Sequence, residues 1–273
     1  MGLFSRSFDK PGPGINPDAP QKRAFFRFFD IVSRKLWNFI KISLMYVALM
    51  LPISILYFLA VIAIGGTNDS ITLIFFGYVV TNLLGVIFGG GPVTAGVAYI
   101  MRNYANEEHA WIWSDFKDNA KSNFKQAIIV FLADLGALVL FYVAIMVYSN
   151  LGGVLGVLKY IVYILLFLYT VMHFYIYPMM VTFKLSLKDL YKNAFLLALA
   201  KLPTNLFVLL VLVIIHIVVP CAIILYGGQF VVLYSVLYIV LEICLLQGLS
   251  LFLTNFAVAK TIKETMLYRV IED

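Results

Sequence analysis

Six stretches of this chain run for about twenty residues or more with almost no charge, at about 36–64, 71–101, 126–148, 158–183, 204–226 and 230–259. A bilayer core of roughly 30 Å takes about 20 mainly apolar residues per helix. The runs are apolar on all sides, whereas the strands of a membrane barrel alternate polar with apolar. With 63% hydrophobic and 12% charged residues and a mean hydropathy of +0.96, the chain has too little polar surface to cover a soluble globule. The expected fold is an all-α membrane protein of six transmembrane helices. A lipid bilayer is its first partner.

The basic residues set an expected orientation. Eighteen of the twenty Lys and Arg fall in the first 35 residues, in 102–125, in 184–201 and in the tail from Lys260. Cationic loops stay on the cytoplasmic side, so both termini are expected there. The net charge of +6 reads as topology and contact with anionic lipid, and nucleic acid is not an expected partner. No cleavable signal is expected: the first apolar run is too long, and it begins after some 35 polar, Pro/Gly-bearing residues. Those residues, 1–35, form an amino-terminal arm in which "AFFRFFDIV" reads either as an amphipathic surface helix or as part of a mobile arm. Cys221 and Cys244 lie inside apolar spans and read as small hydrophobes.

A weak periodicity runs along the basic edge. "KLWNF", "KSNFK" and "KLPTNLF" each introduce an apolar run and place Asn38, Asn123 and Asn205 at intervals of 85 and 82 residues. The returning runs end at Arg102, Lys184 and Lys260. Three tandem helical hairpins, 36–101, 126–183 and 204–259, account for this within a single domain 36–259, followed by a cytoplasmic tail 260–273. Two inner connections resemble each other as well. Asp115 with Asn119, and Asp189 with Asn193, stand four apart and share a helix face. Each connection is expected to form a short amphipathic helix on the cytoplasmic membrane surface, with Trp111 and Trp113 as interfacial aromatics and Ser114 as an N-cap. These six residues, Trp111, Trp113, Asp115, Asn119, Asp189 and Asn193, are the candidate docking positions.

The second run is interrupted by Gly89, Gly90, Gly91 and Pro92. Glycines permit unusual dihedrals and proline removes a donor, so a helix break is expected there. Backbone left unpaired in hydrocarbon costs several kcal/mol per group, which requires the break to be buried or to line a cavity. Pro178 is expected to interrupt the fourth run in a comparable place. Either break reads as a shaping kink or as part of a binding site.

Few ionisable residues lie within the runs: Asp134, His173, His216 and Glu242. Counting ~1.5 Å per residue puts the first three at one depth and Glu242 nearer the far leaflet. Contact between Asp134 and His173 lowers the cost of burying either. A proton relay, a polar substrate contact and a plain interhelical bond are the open readings of this cluster. No HExxH, GxSxG, P-loop or paired metal-ligand motif is present, so no metal, cofactor or catalytic residue is expected and an enzyme finds little support.

The order "DKPGPGINPDAPQKRAFFRFFDIVSRKLWNFIKISLMYVALMLPI" followed by "GGGPVTAGVAYIMRNYANEEHAWIWSDFKDNAKSNFKQA" resembles the YesL-like family of bacterial membrane proteins. Members of that family are often encoded beside carbohydrate ABC importers and polysaccharide-degrading enzymes. The resemblance implies a bacterial cytoplasmic-membrane protein with an accessory role in sugar uptake, its partners being the permease and ATPase subunits of an importer. Asp189 with Leu202 and Pro203 also has the spacing of the ATPase-docking helix of importer permeases, although Leu190 stands where glycine is expected. Two functional readings follow. One is a non-catalytic accessory subunit docking through its hairpins and cytoplasmic loops. The other is a stand-alone small-molecule or proton-coupled transporter that uses Asp134, His173 and His216.

Overall fold

The computed structural model describes residues 23–65, 71–151 and 153–267. Among them every regular element is a helix: α1 Ala24–Gly65, α2 Ile71–Ile87, α3 Pro92–Ala105, α4 Ile112–Ser122, α5 Phe124–Asn150, α6 Gly153–Met180, α7 Leu187–Ala200, α8 Leu202–Tyr226 and α9 Gly228–Met266. Five of these are long and apolar enough to cross a membrane, and α2 with α3 makes a sixth span if that pair, bent by 67°, is read as one. The chain is a multi-pass membrane protein.

Three of the long segments begin alike. A short helical piece is followed by one residue whose backbone leaves the helical region: Lys35 within α1 (φ −116°, ψ 17°), Asn123 between α4 and α5 (φ −98°, ψ 7°), and Lys201 between α7 and α8 (φ −119°, ψ 33°). Such a hinge frees carbonyls in the last turn before it. Two of the repeated asparagines donate to carbonyls of that turn. Asn123 Nδ2 donates to Asn119 O at 3.0 Å, and Asn205 Nδ2 donates to Ala198 O at 3.0 Å. The asparagine thus recurs for the same purpose from slightly different positions, at the hinge in one case and four residues beyond it in the other.

Burial concentrates where the returning segments meet. α3 packs against both α6 and α9, and α6 packs against α9. Val171–Met180 of α6 is buried without interruption. α3 and α9 stand between two apolar clusters. On one side Ala95, Ala98, Val258 and Ile262 face α6 and its neighbours; on the other Val97, Ile100, Met101, Leu251 and Phe252 face Phe39, Ile42 and Tyr46 of α1. Toward the far ends the helices expose Leu140, Val154, Val157, Ile161 and Val232, the apolar exterior expected of a lipid-facing surface.

Several sequence expectations change in detail. Residues 24–34 form a short helix set off from the rest of α1 by the Lys35 kink, and Phe28 stacks on Phe252 at 5.2 Å and meets Phe256 at 5.5 Å. The rest of the arm, and the tail beyond Leu267, lie outside the described residues. Pro178 does not break its span. α6 runs through it to Met180, because a proline so near the carboxyl end deletes one backbone bond with little helix left to disturb. Ser114 lies inside α4 rather than at its start; the cap is Trp111, whose N–H donates to Asp115 Oδ2 at 2.7 Å.

Candidate functional site

The break between α2 and α3 has a backbone only glycine adopts with ease: Gly89 has φ 71°, and Gly91 has φ 60° with ψ −120°. Residues 85–91 are all buried. Freed carbonyls there find tyrosine hydroxyls from two neighbouring helices. Tyr46 OH donates to Gly85 O at 2.8 Å and Tyr57 OH to Gly89 O at 3.1 Å from α1, while Tyr177 OH donates to Phe88 O at 3.2 Å from α6. Gly90 N–H donates to Thr94 Oγ1 at 2.7 Å. The break is therefore buried and satisfied by side chains, as unpaired backbone in hydrocarbon demands.

Beside it, α5 and α6 bring Asp134 and His173 together. His173 Nε2 lies 2.7 Å from Asp134 Oδ1, and both side chains are 0% exposed. Tyr169 OH donates to the same carboxylate oxygen at 2.7 Å, and His173 Nδ1 faces Tyr169 O at 2.9 Å. A carbonyl only accepts, so Nδ1 carries a proton. The second proton then sits on Nε2 or on Oδ1, and the pair is neutral overall in either case, which makes its burial tolerable. Asp134 Oδ2 has no partner. Tyr191 of α7 stands near this cluster, and burial, with the field of Asp134 second, pushes its phenol well up. On its other side His173 borders a cavity of about 20 Å³ shared with Thr94, Tyr177, Thr254 and Asn255. That is room for about one water, and Asn255 Oδ1 is buried without a partner.

His216 does not join this cluster. It pairs with Glu242 across α8 and α9, Nδ1 to Oε1 at 3.0 Å, with ring and carboxylate out of line for a hydrogen bond. His216 Nε2 lies 2.9 Å from Ser250 Oγ. Tyr238 OH lies 3.2 Å from Glu242 Oε2 and 3.0 Å from Ile215 O. Both partners sit on wide π turns, Ile214–Val218 and Glu242–Leu246. The depth count placed Glu242 too far out; α9 starts at Gly228 and carries Glu242 down to the level of His216.

Of the candidate docking residues, Asp115 and Asp189 are occupied locally. Asp115 caps α4 through Trp111 N–H, and Asp189 pairs with Ser186, the N-cap of α7, whose hydroxyl reaches Asp189 Oδ2 at 2.6 Å. Asn119 Nδ2 turns back to Asp115 O at 2.9 Å, and Asn193 is half-buried. Trp111 and Trp113 remain outward, 70% and 62% exposed. The elbow carrying them is tied to the α1 hinge: Arg34 meets Glu107 at 2.8 Å, Lys35 Nζ donates to Glu108 O at 3.3 Å, and the same ammonium stands 3.9 Å over the Tyr104 ring.

Residues 71–145 match the model of a family described as "Protein of unknown function, DUF624". No curated protein and no solved structure matches the chain. The matched stretch runs from α2 into α5 and holds the glycine break, the tryptophan elbow and Asp134. The tyrosines that serve the break and the two ion pairs had no sequence signal beyond their type: 17 tyrosines in an apolar chain call for hydroxyl partners without saying which.

Proposed function

We propose that the protein is a non-catalytic accessory subunit of the bacterial cytoplasmic membrane, docking a partner at its basic end. The observation that carries this reading is the pinned tryptophan elbow. All three tryptophans of the chain, Trp37, Trp111 and Trp113, are more than 60% exposed, and two of them stand at the start of α4, just after a segment held by an ion pair, a charge-assisted backbone bond and a cation–π contact. Aromatic side chains fixed in place before contact lose little entropy on binding and are the commonest interface anchors. The resemblance to the YesL-like family supports a carbohydrate ABC importer as the partner, with its permease and ATPase subunits in contact. Three tandem hairpins with both termini and the short surface helices on the cytoplasmic side are the topology this reading needs.

Tagged protein drawn from native membranes in mild detergent is expected to bring permease and ATPase subunits with it. The W111A/W113A pair is expected to remain in the membrane and lose them. Recovery of the polypeptide alone overturns the accessory reading, and labelling of a thiol at position 119 from outside intact cells overturns the topology. The second reading, a proton-coupled transporter, is favoured by one observation: the Asp134–His173 pair can hold its proton on either side and borders a water-sized cavity. It predicts loss of flux in D134N with partner recovery unchanged.

A further inference from the structure

The interface between α2 and the third hairpin holds more unsatisfied oxygen than a structural ion pair needs. Glu242 Oε1, Gln247 Oε1, Thr81 Oγ1 and Tyr78 Oη are all buried atoms without a hydrogen-bond partner, and the residues Thr81, Glu242 and Gln247 are 4%, 1% and 4% exposed. They belong to one neighbourhood. Gln247 N–H bonds Glu242 O across the π turn, so the two side chains stand one wide turn apart. Gln247 Nε2 lies 3.8 Å from where a β-carbon on Gly85 would stand. Tyr78 and Thr81 precede Gly85 on the same face of α2, and α2 packs against the π turn that carries His216. Buried oxygens without partners in a low-dielectric interior are costly unless something positive draws them together.

We propose that these oxygens form a binding site for a small monovalent cation between α2 and the two π turns. Hard oxygen donors of this kind, a single carboxylate with amide and hydroxyl oxygens, suit an alkali cation rather than a soft or transition metal. Among the described residues no group of three His, Cys, Asp or Glu could hold a metal ion. With His216 uncharged, one carboxylate against one positive charge leaves the buried site neutral, whereas a divalent ion would leave it charged. His216, held from behind by Ser250 Oγ at 2.9 Å, stands 3.0 Å from Glu242 Oε1 but out of hydrogen-bond line, so that oxygen keeps a lone pair for the ion. The π turns supply the geometry: each inserts a residue that turns its side chain toward the partner helix.

The test is thermal unfolding of the full chain in detergent, with sodium chloride replacing choline chloride at constant ionic strength. Sodium is expected to raise the melting temperature saturably, by roughly 5 °C at a hundredfold excess over half-saturation. Glu242→Gln is expected to abolish the response, and Thr81→Val to shift its midpoint to about tenfold higher sodium. Superimposed sodium and choline curves for the unaltered protein overturn the site whatever the variants do, as does a Glu242→Gln protein that responds like the parent. Because the site lies away from the tryptophan elbow, the outcome is independent of partner recovery.

Discussion

The second and third hairpins bury the same chemistry in different ways. Asp134 and His173 meet between regular helices, 2.7 Å apart, with Tyr169 on the carboxylate and a backbone carbonyl on the far ring nitrogen. His216 and Glu242 meet at 3.0 Å out of line, on π turns, among oxygens that lack partners. A nearly complete network holds one arrangement and makes it stiff. An incomplete one leaves capacity for something else, which is what the cation proposed between α2 and the π turns would use.

Six variants break or sharpen that contrast. Asp134→Ala strands a buried histidine beside an unpaired tyrosine, and it is expected to cost about 3–5 kcal/mol. Replacing Asp134 and His173 together with leucine should recover much of that loss, which thermal unfolding of both variants decides. Tyr177→Phe leaves Phe88 O without its donor in the glycine break and is expected to cost about 1–3 kcal/mol in the same assay. This change tests whether satisfaction at the break matters as much as it does in the second hairpin.

Glu242→Gln is expected to separate the two hairpins most clearly. In choline salt its cost should be about 1 kcal/mol or less, since glutamine keeps an oxygen for Tyr238 OH and only the out-of-line contact with His216 changes. In sodium its deficit should grow, while Asp134→Asn shows the same deficit in both salts. The smallest effect is expected at the elbow: Trp111→Ala should move stability by less than about 0.5 kcal/mol, as exposed sites do, while lowering partner recovery in the pull-down.

Much of the architecture was legible in the residues themselves. Run length marks the apolar spans, and helices stand at them, five long enough to cross a membrane and a sixth if the bent pair is one span. The break at Gly89–Pro92 was legible because a glycine run ending in proline has few regular conformations. Pro178 carried the same signal and did not act on it, because what a proline disrupts depends on how much helix follows. Asp115 and Asp189 share a local spacing with Asn119 and Asn193, but that spacing could not reveal that both carboxylates are taken up by capping.

The polar residues inside the spans mark the limit. Sequence determined which charged groups must be buried, and a depth count put Asp134 level with His173. It did not pair His216 with Glu242, because it set His216 beside the first two and Glu242 too far out, and depth leaves the direction a side chain faces undecided. Each π turn adds a residue and rotates everything after it by about 100° about the helix axis, a change with no mark in the hydropathy. Only the packing of α2, α8 and α9 against one another determined which way those groups point, and therefore which of them were left without a partner.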